Sequence, residues 1–162
     1  YDEGAKRLIL PFKHADRTEM AVPLARFMAR AGAEMLAAAD VLAPVPAHWR
    51  RLIARRYDQA ALLAQRLGRL SGRRVVPDLL RRTRATVPLG DKGAAERAAL
   101  VADAFSVTRP ARVAGKRVVL VDDVMTSGAT AEACARALLA AGAARVEVLA
   151  AARVPDPRLR TA

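Results

Sequence analysis

Two adjacent carboxylates, Asp122 and Asp123, close an apolar run of strand length, Val118-Val119-Leu120-Val121. Val124 and Met125 follow, then the small and hydroxyl residues Thr126, Ser127, Gly128, Ala129 and Thr130, which open an Ala-rich stretch of helical character. Hydroxyls and backbone N–H groups gathered at a helix N-terminus favour an anion, through unbonded donors and the helix dipole. Two carboxylates about one turn away suit vicinal hydroxyls or a metal ion. Phosphate at one end and hydroxyls at the other is the pattern of a sugar phosphate. The bland alternative is a strand–turn–helix unit with an acidic turn and a Thr N-cap.

A second group of polar residues lies in the stretch Pro44-Val45-Pro46-Ala47-His48-Trp49-Arg50-Arg51 and its continuation through Arg55, Arg56, Tyr57, Asp58 and Gln59. Arg51 and Arg55 are four residues apart and share a face if the stretch is helical. Guanidinium forks match the oxygens of pyrophosphate or a phosphodiester. His48 offers a donor to a phosphate or a structural hydrogen bond. Trp49 beside Arg50 suits base stacking or a core edge.

The elements that must position these residues are legible from periodicity. Residues 117–122 read as a strand, 129–141 as a helix ending at Gly142, and 145–152 as a second strand; this is a βαβ crossover with parallel strands. Apolar side chains at Leu24, Phe27, Met28, Ala31 and Met35 predict a helix over 17–39, with Asp16 and Glu19 as a capping box. Residues 41–45 read as a buried strand entering a Pro-rich loop. Asp58 starts a helix with Leu62, Leu63, Ala64, Leu67 and Leu70 inward and Arg66, Arg69 and Arg73 outward, stopped by Gly72. Val75-Val76 and residues 105–107 read as short strands, 3–10 and 94–102 as short helices, and 81–93 as a loop. The fold class is α/β with a mainly parallel twisted sheet flanked by helices. In such a sheet both polar groups emerge beyond the carboxyl ends of strands, in one crevice.

The stretch 118–130 resembles the binding loop for phosphoribosyl pyrophosphate (PRPP) in type I phosphoribosyltransferases. The resemblance implies that Thr126, Ser127, Gly128, Ala129 and Thr130 cradle the 5-phosphate. Asp122 and Asp123 then meet the ribose hydroxyls, directly or through Mg²⁺. It also implies that the loop after the first sheet strand binds pyrophosphate, through Val45, Pro46, His48, Arg51 and Arg55. The Pro-Val-Pro, His48, Arg51, Arg55 and Gln59 pattern narrows the likeness to ComF-type competence proteins. Tyr1, Lys13, Arg81, Thr83, Glu96-Arg97 and Ala104-Phe105 carry it through residues 1 to about 153. Departures are Arg56 for the family's Gly, Tyr57 for Phe and Asp58 for Asn, with Leu89 and Leu100 near positions where the family shows amides. The family's N-terminal Cys-rich zinc module is not in this sequence, so 1–162 is expected to be one phosphoribosyltransferase-like domain. The first residue is Tyr1, so the chain is a candidate fragment.

Composition bounds the rest. The 162 residues suit one domain with a full core built from Ala, Val and Leu, because apolar residues make up 53% and aromatics only 4%. A single cysteine, Cys134, excludes an internal disulfide and a cysteine-rich zinc site and is expected to be packed. No apolar run approaches the ~20 residues of a membrane-spanning helix. There is no signal-peptide pattern, and cytoplasmic residence is expected. The net charge is +12, and residues 50–84 hold eleven Arg against two acids, Asp58 and Asp78. That field attracts pyrophosphate, nucleotides or a nucleic-acid backbone.

Two functions of different class are therefore expected. One is an Mg²⁺-dependent glycosyltransferase that displaces pyrophosphate from PRPP. Its acceptor is unassigned, because only about ten residues follow the last strand and cannot build a base-binding hood. The other, which the ComF resemblance implies, is a non-catalytic protein of DNA uptake meeting single-stranded DNA or a helicase-like partner. A homodimer is a candidate assembly for either.

Overall fold

The computed structural model describes residues 18–47, 58–83 and 104–153. The helices expected over 3–10 and 94–102, and Asp16 of the capping box, lie outside the described residues. A 3-10 turn, Thr18–Met20, leads into helix α1 (Ala21–Ala31) and the short α2 (Ala33–Ala38). Strand β1 is Val41–Pro44 and helix α3 Gln59–Ser71. Three short strands follow, β2 (Arg74–Val75), β3 (Leu80–Arg82) and β4 (Phe105–Val107). A 3-10 turn, Pro110–Arg112, leads to strand β5 (Arg117–Met125), helix α4 (Ala129–Ala140) and strand β6 (Arg145–Arg153).

Four strands form a parallel sheet in the order β2-β1-β5-β6, and β3 pairs with β4 as an antiparallel ribbon. The buried run Val118–Val121 explains the parallel sheet, since a strand covered on both faces has no polar side to show. Side chains alternate as a strand requires. Val118 and Leu120 pack with Cys134 and Leu138 of α4 and with Leu79, Leu80 and Phe105 of the ribbon region. Val119 and Val121 pack on the other face with Leu24 and Met28 of α1 and Leu63 and Leu67 of α3.

From β1 the chain moves outward to β2 on one side, and later strands occupy the other. The order therefore reverses between β1 and β5, and the exits of these two strands are neighbours. Their entrances are tied together: the Arg117 N–H donates to Asp40 Oδ2 at 2.8 Å, and the Asp40 N–H to the Arg117 carbonyl at 2.9 Å. At the exit, the Val45 N–H makes a last bond to the Val121 carbonyl, 2.8 Å. Pro46 has no N–H with which to continue. Beyond Val121, β5 pairs only with β6 among the described strands.

Several expected boundaries move. The strand expected over 117–122 runs on to Met125, because its ladder with β6 continues as Val124↔Ala152 and Met125↔Arg153. The helix expected over 17–39 is divided at Gly32. Phe27 and Leu70, expected inward, are 61% and 52% exposed. They lie roughly 110° and 70° round their helices from the centre of the buried stripe, at 100° per residue. Residues 81 and 82, expected in a loop, belong to β3.

Candidate functional site

The exit of β5 carries the two acids in an extended backbone. Alternation sends them to opposite faces. Asp122 continues the Val118–Leu120 row toward α4, and its charge acts on Cys134 there. Asp123 continues the Val119–Val121 row toward α3, and its charge acts on Asp58. A ligand that meets both must therefore lie across the end of the sheet. Each carboxylate also accepts from the next backbone amide: the Asp123 N–H donates to Asp122 Oδ1 at 2.9 Å and the Val124 N–H to Asp123 Oδ1 at 2.8 Å. These short bonds fix the side chains against the strand.

Thr126, Ser127 and Gly128 turn the chain from β5 into α4. Gly128 is the N-cap with φ 80°, a left-handed conformation that favours glycine. No side chain caps the helix. The Thr N-cap of the bland alternative is thus not formed. The Ser127 Oγ stands 3.5 Å from the Ala129 nitrogen, at the limit of a hydrogen bond. The helical ladder begins with the Glu132 N–H to the Gly128 carbonyl, 2.9 Å. The amides of Ala129, Thr130 and Ala131 are then first-turn donors without intrahelical acceptors. Thr126 and Ser127 are exposed, and Thr130 is half-buried.

Across the switch point, Val45 is buried and Pro46 half-buried beside the exit of β5. His48, Arg51 and Arg55 lie outside the described residues, as do Trp49 and Arg50. What the structure adds is Asp58, which follows that segment. It is the N-cap of α3, and its Oδ1 accepts from the Ala61 N–H at 3.0 Å. The same carboxylate accepts from the amides of Ala60 and Ala47. Ala47 begins the 48–57 segment and Asp58 ends it, so one side chain ties both ends together next to Asp123. Sequence reasoning saw Asp58 as a helix start and as a departure from the family's Asn, but not its bond to Ala47 or its proximity to Asp123, because these are tertiary.

Burial pushes the Asp58 carboxyl above its ordinary value of 3.8, the amide bonds oppose this, and the Asp123 charge adds to it. A raised acid favours the fold below its unfolded pKa, and that contribution is lost as pH rises through the folded value. Asp58→Asn keeps the capping oxygen and removes the charge. We expect its Tm to exceed the parent's at pH 7, with the gap closing toward pH 4. Thermal melts across that range check this; a gap that widens on acidification contradicts it.

On the α4 face, the Arg82 guanidinium sits 4.8 Å from the Phe105 ring centroid. Arg82 and Asp122 both act on Cys134, so the ribbon brings a cation to the α4 side of the sheet, the side on which Asp122 lies. Burial, the largest cause, pushes the Cys134 thiol up to about 12, which leaves it neutral and unreactive. The polar strand Leu80–Arg82 gave no periodic signal, and Arg82 stood out in the sequence only as one of many arginines.

The phosphoribosyl transferase domain family matches residues 63–161. The chain belongs to that family. Among curated relatives, it is 35% identical over 149 residues to the DNA utilization protein YhgH of Escherichia coli O6:H1, covering 87% of this chain and 63% of that protein. It is 34% identical over 156 residues to the YhgH of Salmonella typhi, covering 91% and 66%. The chain thus spans just under two thirds of the length of the curated relatives it matches. These relatives bear out the ComF-type resemblance. Among solved structures, an allosteric regulatory enzyme of purine biosynthesis aligns with TM-score 0.54 at 25% identity, over 82% of this chain and 26% of that one. TT1426 from Thermus thermophilus shares the fold, with TM-score 0.50 at 19% identity over 84% of each chain.

The fold of this phosphoribosyltransferase-like domain is the α/β parallel sheet expected of the sequence. Of the expected site residues, Asp122, Asp123, Thr126, Ser127, Gly128, Ala129 and Thr130 form one continuous edge, with Val45 and Pro46 beside it. No described helix is long and apolar enough to cross a membrane.

Proposed function

We propose that this domain binds PRPP, or a related ribose 5-phosphate compound, across the exit of β5 and transfers the phosphoribosyl group to an acceptor with release of pyrophosphate. The observation that carries the reading is the uncapped start of α4. Its amides and the Thr126, Ser127 and Thr130 hydroxyls follow directly on two acids held to opposite sides of the same strand.

The chemistry follows from charge. Displacement at C1 develops positive charge on the ribose and negative charge on the leaving pyrophosphate. Asp122 and Asp123 accept hydrogen bonds from the ribose hydroxyls and favour the positive ring. The α4 amides and the Thr126–Thr130 hydroxyls anchor the 5-phosphate. Val45 and Pro46 direct the following segment, with His48, Arg51 and Arg55, toward the pyrophosphate. Fixed dipoles and positioning supply the rate enhancement, and no covalent step on the protein is required.

Mg²⁺ fits this donor set. Among the described residues no group of three His, Cys, Asp or Glu side chains could hold a metal by itself. Because Asp122 and Asp123 face opposite sides, one of these carboxylates with ligand oxygens completing the shell would hold the ion, which is a usual arrangement for Mg²⁺. It would neutralise charge on the leaving pyrophosphate.

Titration with PRPP and Mg²⁺ tests the reading. A ligand at 100 times its Kd adds about 2.7 kcal/mol to stability, so a rise in Tm of several degrees is expected. Pyrophosphate release with candidate nucleobases tests the transfer step. No rise in Tm with PRPP, ribose 5-phosphate or a nucleoside monophosphate overturns the assignment. A rise without pyrophosphate release favours the second reading, a non-catalytic protein of DNA uptake. The name of the YhgH relatives, DNA utilization protein, and the Arg-rich segment support that alternative.

A further inference from the structure

We propose that Arg153 selects the acceptor, and that the acceptor is a planar heterocycle carrying a carboxylate. The inference rests on the ribose-phosphate reading and follows from where the sheet leaves room for the second reactant.

Register sets three strand ends side by side. β1 ends at Pro44, level with Val121, while β5 runs on to Met125, and β6 ends at Arg153, level with Met125. In the proposed complex the start of α4 holds the 5-phosphate on one face of the sheet. The C1 end of the ribose then reaches toward the other face, on which Asp123 lies. The segment that leaves β1 takes the pyrophosphate. A nucleophile that displaces a group at a sugar carbon enters opposite the leaving group. With β1 on the leaving side, the acceptor falls on the β6 side of β5.

Arg153 stands there. It continues the row of Leu149 and Ala151, which is the α1 side of the sheet and the side of Asp123. It lies one strand over and two residues beyond the level of Asp123, a Cα separation of roughly 8 Å from strand spacing and rise. Its side chain is exposed and makes no ion pair or hydrogen bond, with the two acids or with any other described residue. Arg82 lies instead on the α4 side.

On the levels from Asp123 to Arg153 the neighbouring side chains are apolar. Val124, Ala151 and Ala152 are half-buried and pack on the α1-side core. A flat ring is accommodated by such a surface, and a carboxylate at its edge matches a guanidinium fork. The plainer account of Arg153 is a solvated charge that guards the end of an edge strand. That account gives no selectivity among ligands, whereas an acceptor contact gives a preference for the acid.

The test is calorimetric titration with two pairs of nucleotides: orotidine against uridine 5′-monophosphate, and nicotinate against nicotinamide mononucleotide. Within each pair the ribose 5-phosphate and the ring are shared, and one member carries a carboxylate that the other lacks. In at least one pair the carboxylate form is expected to bind about tenfold more tightly, the size of one charge-assisted contact. Arg153→Gln should remove the preference and Arg153→Lys should retain part of it. Arg117→Gln, which deletes an equal charge at the entrance of β5, should retain all of it. Ribose 5-phosphate has no ring, and its binding to each variant reports an intact phosphate site. A preference that survives Arg153→Gln overturns the proposal. So does one lost equally in Arg117→Gln, which would reflect only the attraction of any anion to a basic protein. Binding of ribose 5-phosphate with no preference in either pair overturns the role of Arg153 alone. Binding of none of these ligands defeats the ribose-phosphate reading, and this inference with it.

Discussion

Asp123→Asn is expected to abolish the PRPP-dependent rise in Tm and to lower pyrophosphate release about 10²-fold or more, while raising the Tm of the unliganded protein. The first effect has the size found when one preorganised electrostatic contact to a transition state is removed. The second arises because Asp123 repels Asp58 across the α3 side of the sheet. Asp122→Asn should also lose the ligand response. Its stability effect should run the other way, because Asp122 faces α4, where Arg82 also acts. Paired melts with and without PRPP and Mg²⁺ separate the two. If both variants retained the ligand-dependent rise, the acids would not be ribose contacts.

Gly68→Val is expected to cost more than about 3 kcal/mol, lowering the Tm by roughly 10 °C. Gly68 is buried inside α3, where glycine costs a helix up to about 1 kcal/mol relative to alanine. It is needed because a Cβ at this position would lie 2.3 Å from Val75 Cγ2 and 3.0 Å from the Arg73 carbonyl oxygen. The second contact is backbone, which cannot swing aside as a side-chain tip can. Val adds two methyl groups to an already overfilled space. Gly68→Ala is the more searching variant: its helix propensity improves, yet its Tm should still fall. A rise for Gly68→Ala in thermal denaturation would mean that β2 can move away from α3 at little cost.

The unit from β5 through α4 to β6 was legible because three local signals agree. The run Val118–Val121 is apolar on both faces, Ala-rich spacing follows, and a second apolar run closes the unit. The strand boundary was not legible, because Asp122 and Asp123 look like a terminus while backbone pairing with β6 is indifferent to side-chain polarity. Phe27 was misjudged because half of the buried stripe, Ala21 and Ala25 beside Leu24 and Met28, consists of small residues that carry little hydrophobic signal. The candidate site was legible as a list of residues, and its division between two faces followed only once the register was known. Asp58 had no local signal for its neighbours, since Ala47 and Asp123 reach it through the fold. Arg82 was hidden for a similar reason: a three-residue strand carries too short a pattern to read.

The early end of β1 has one more consequence. From Asp122 to Met125, β5 offers hydrogen-bonding groups on a side that no described strand covers. Such an opening is a template for accidental strand addition, which folded proteins suppress with proline and inward charge. Both are present here, as Pro44 and Pro46 at the departing strand and the two acids on the strand that remains. The same prolines and acids that border the proposed ligand site are thus the ones that guard this edge against self-association.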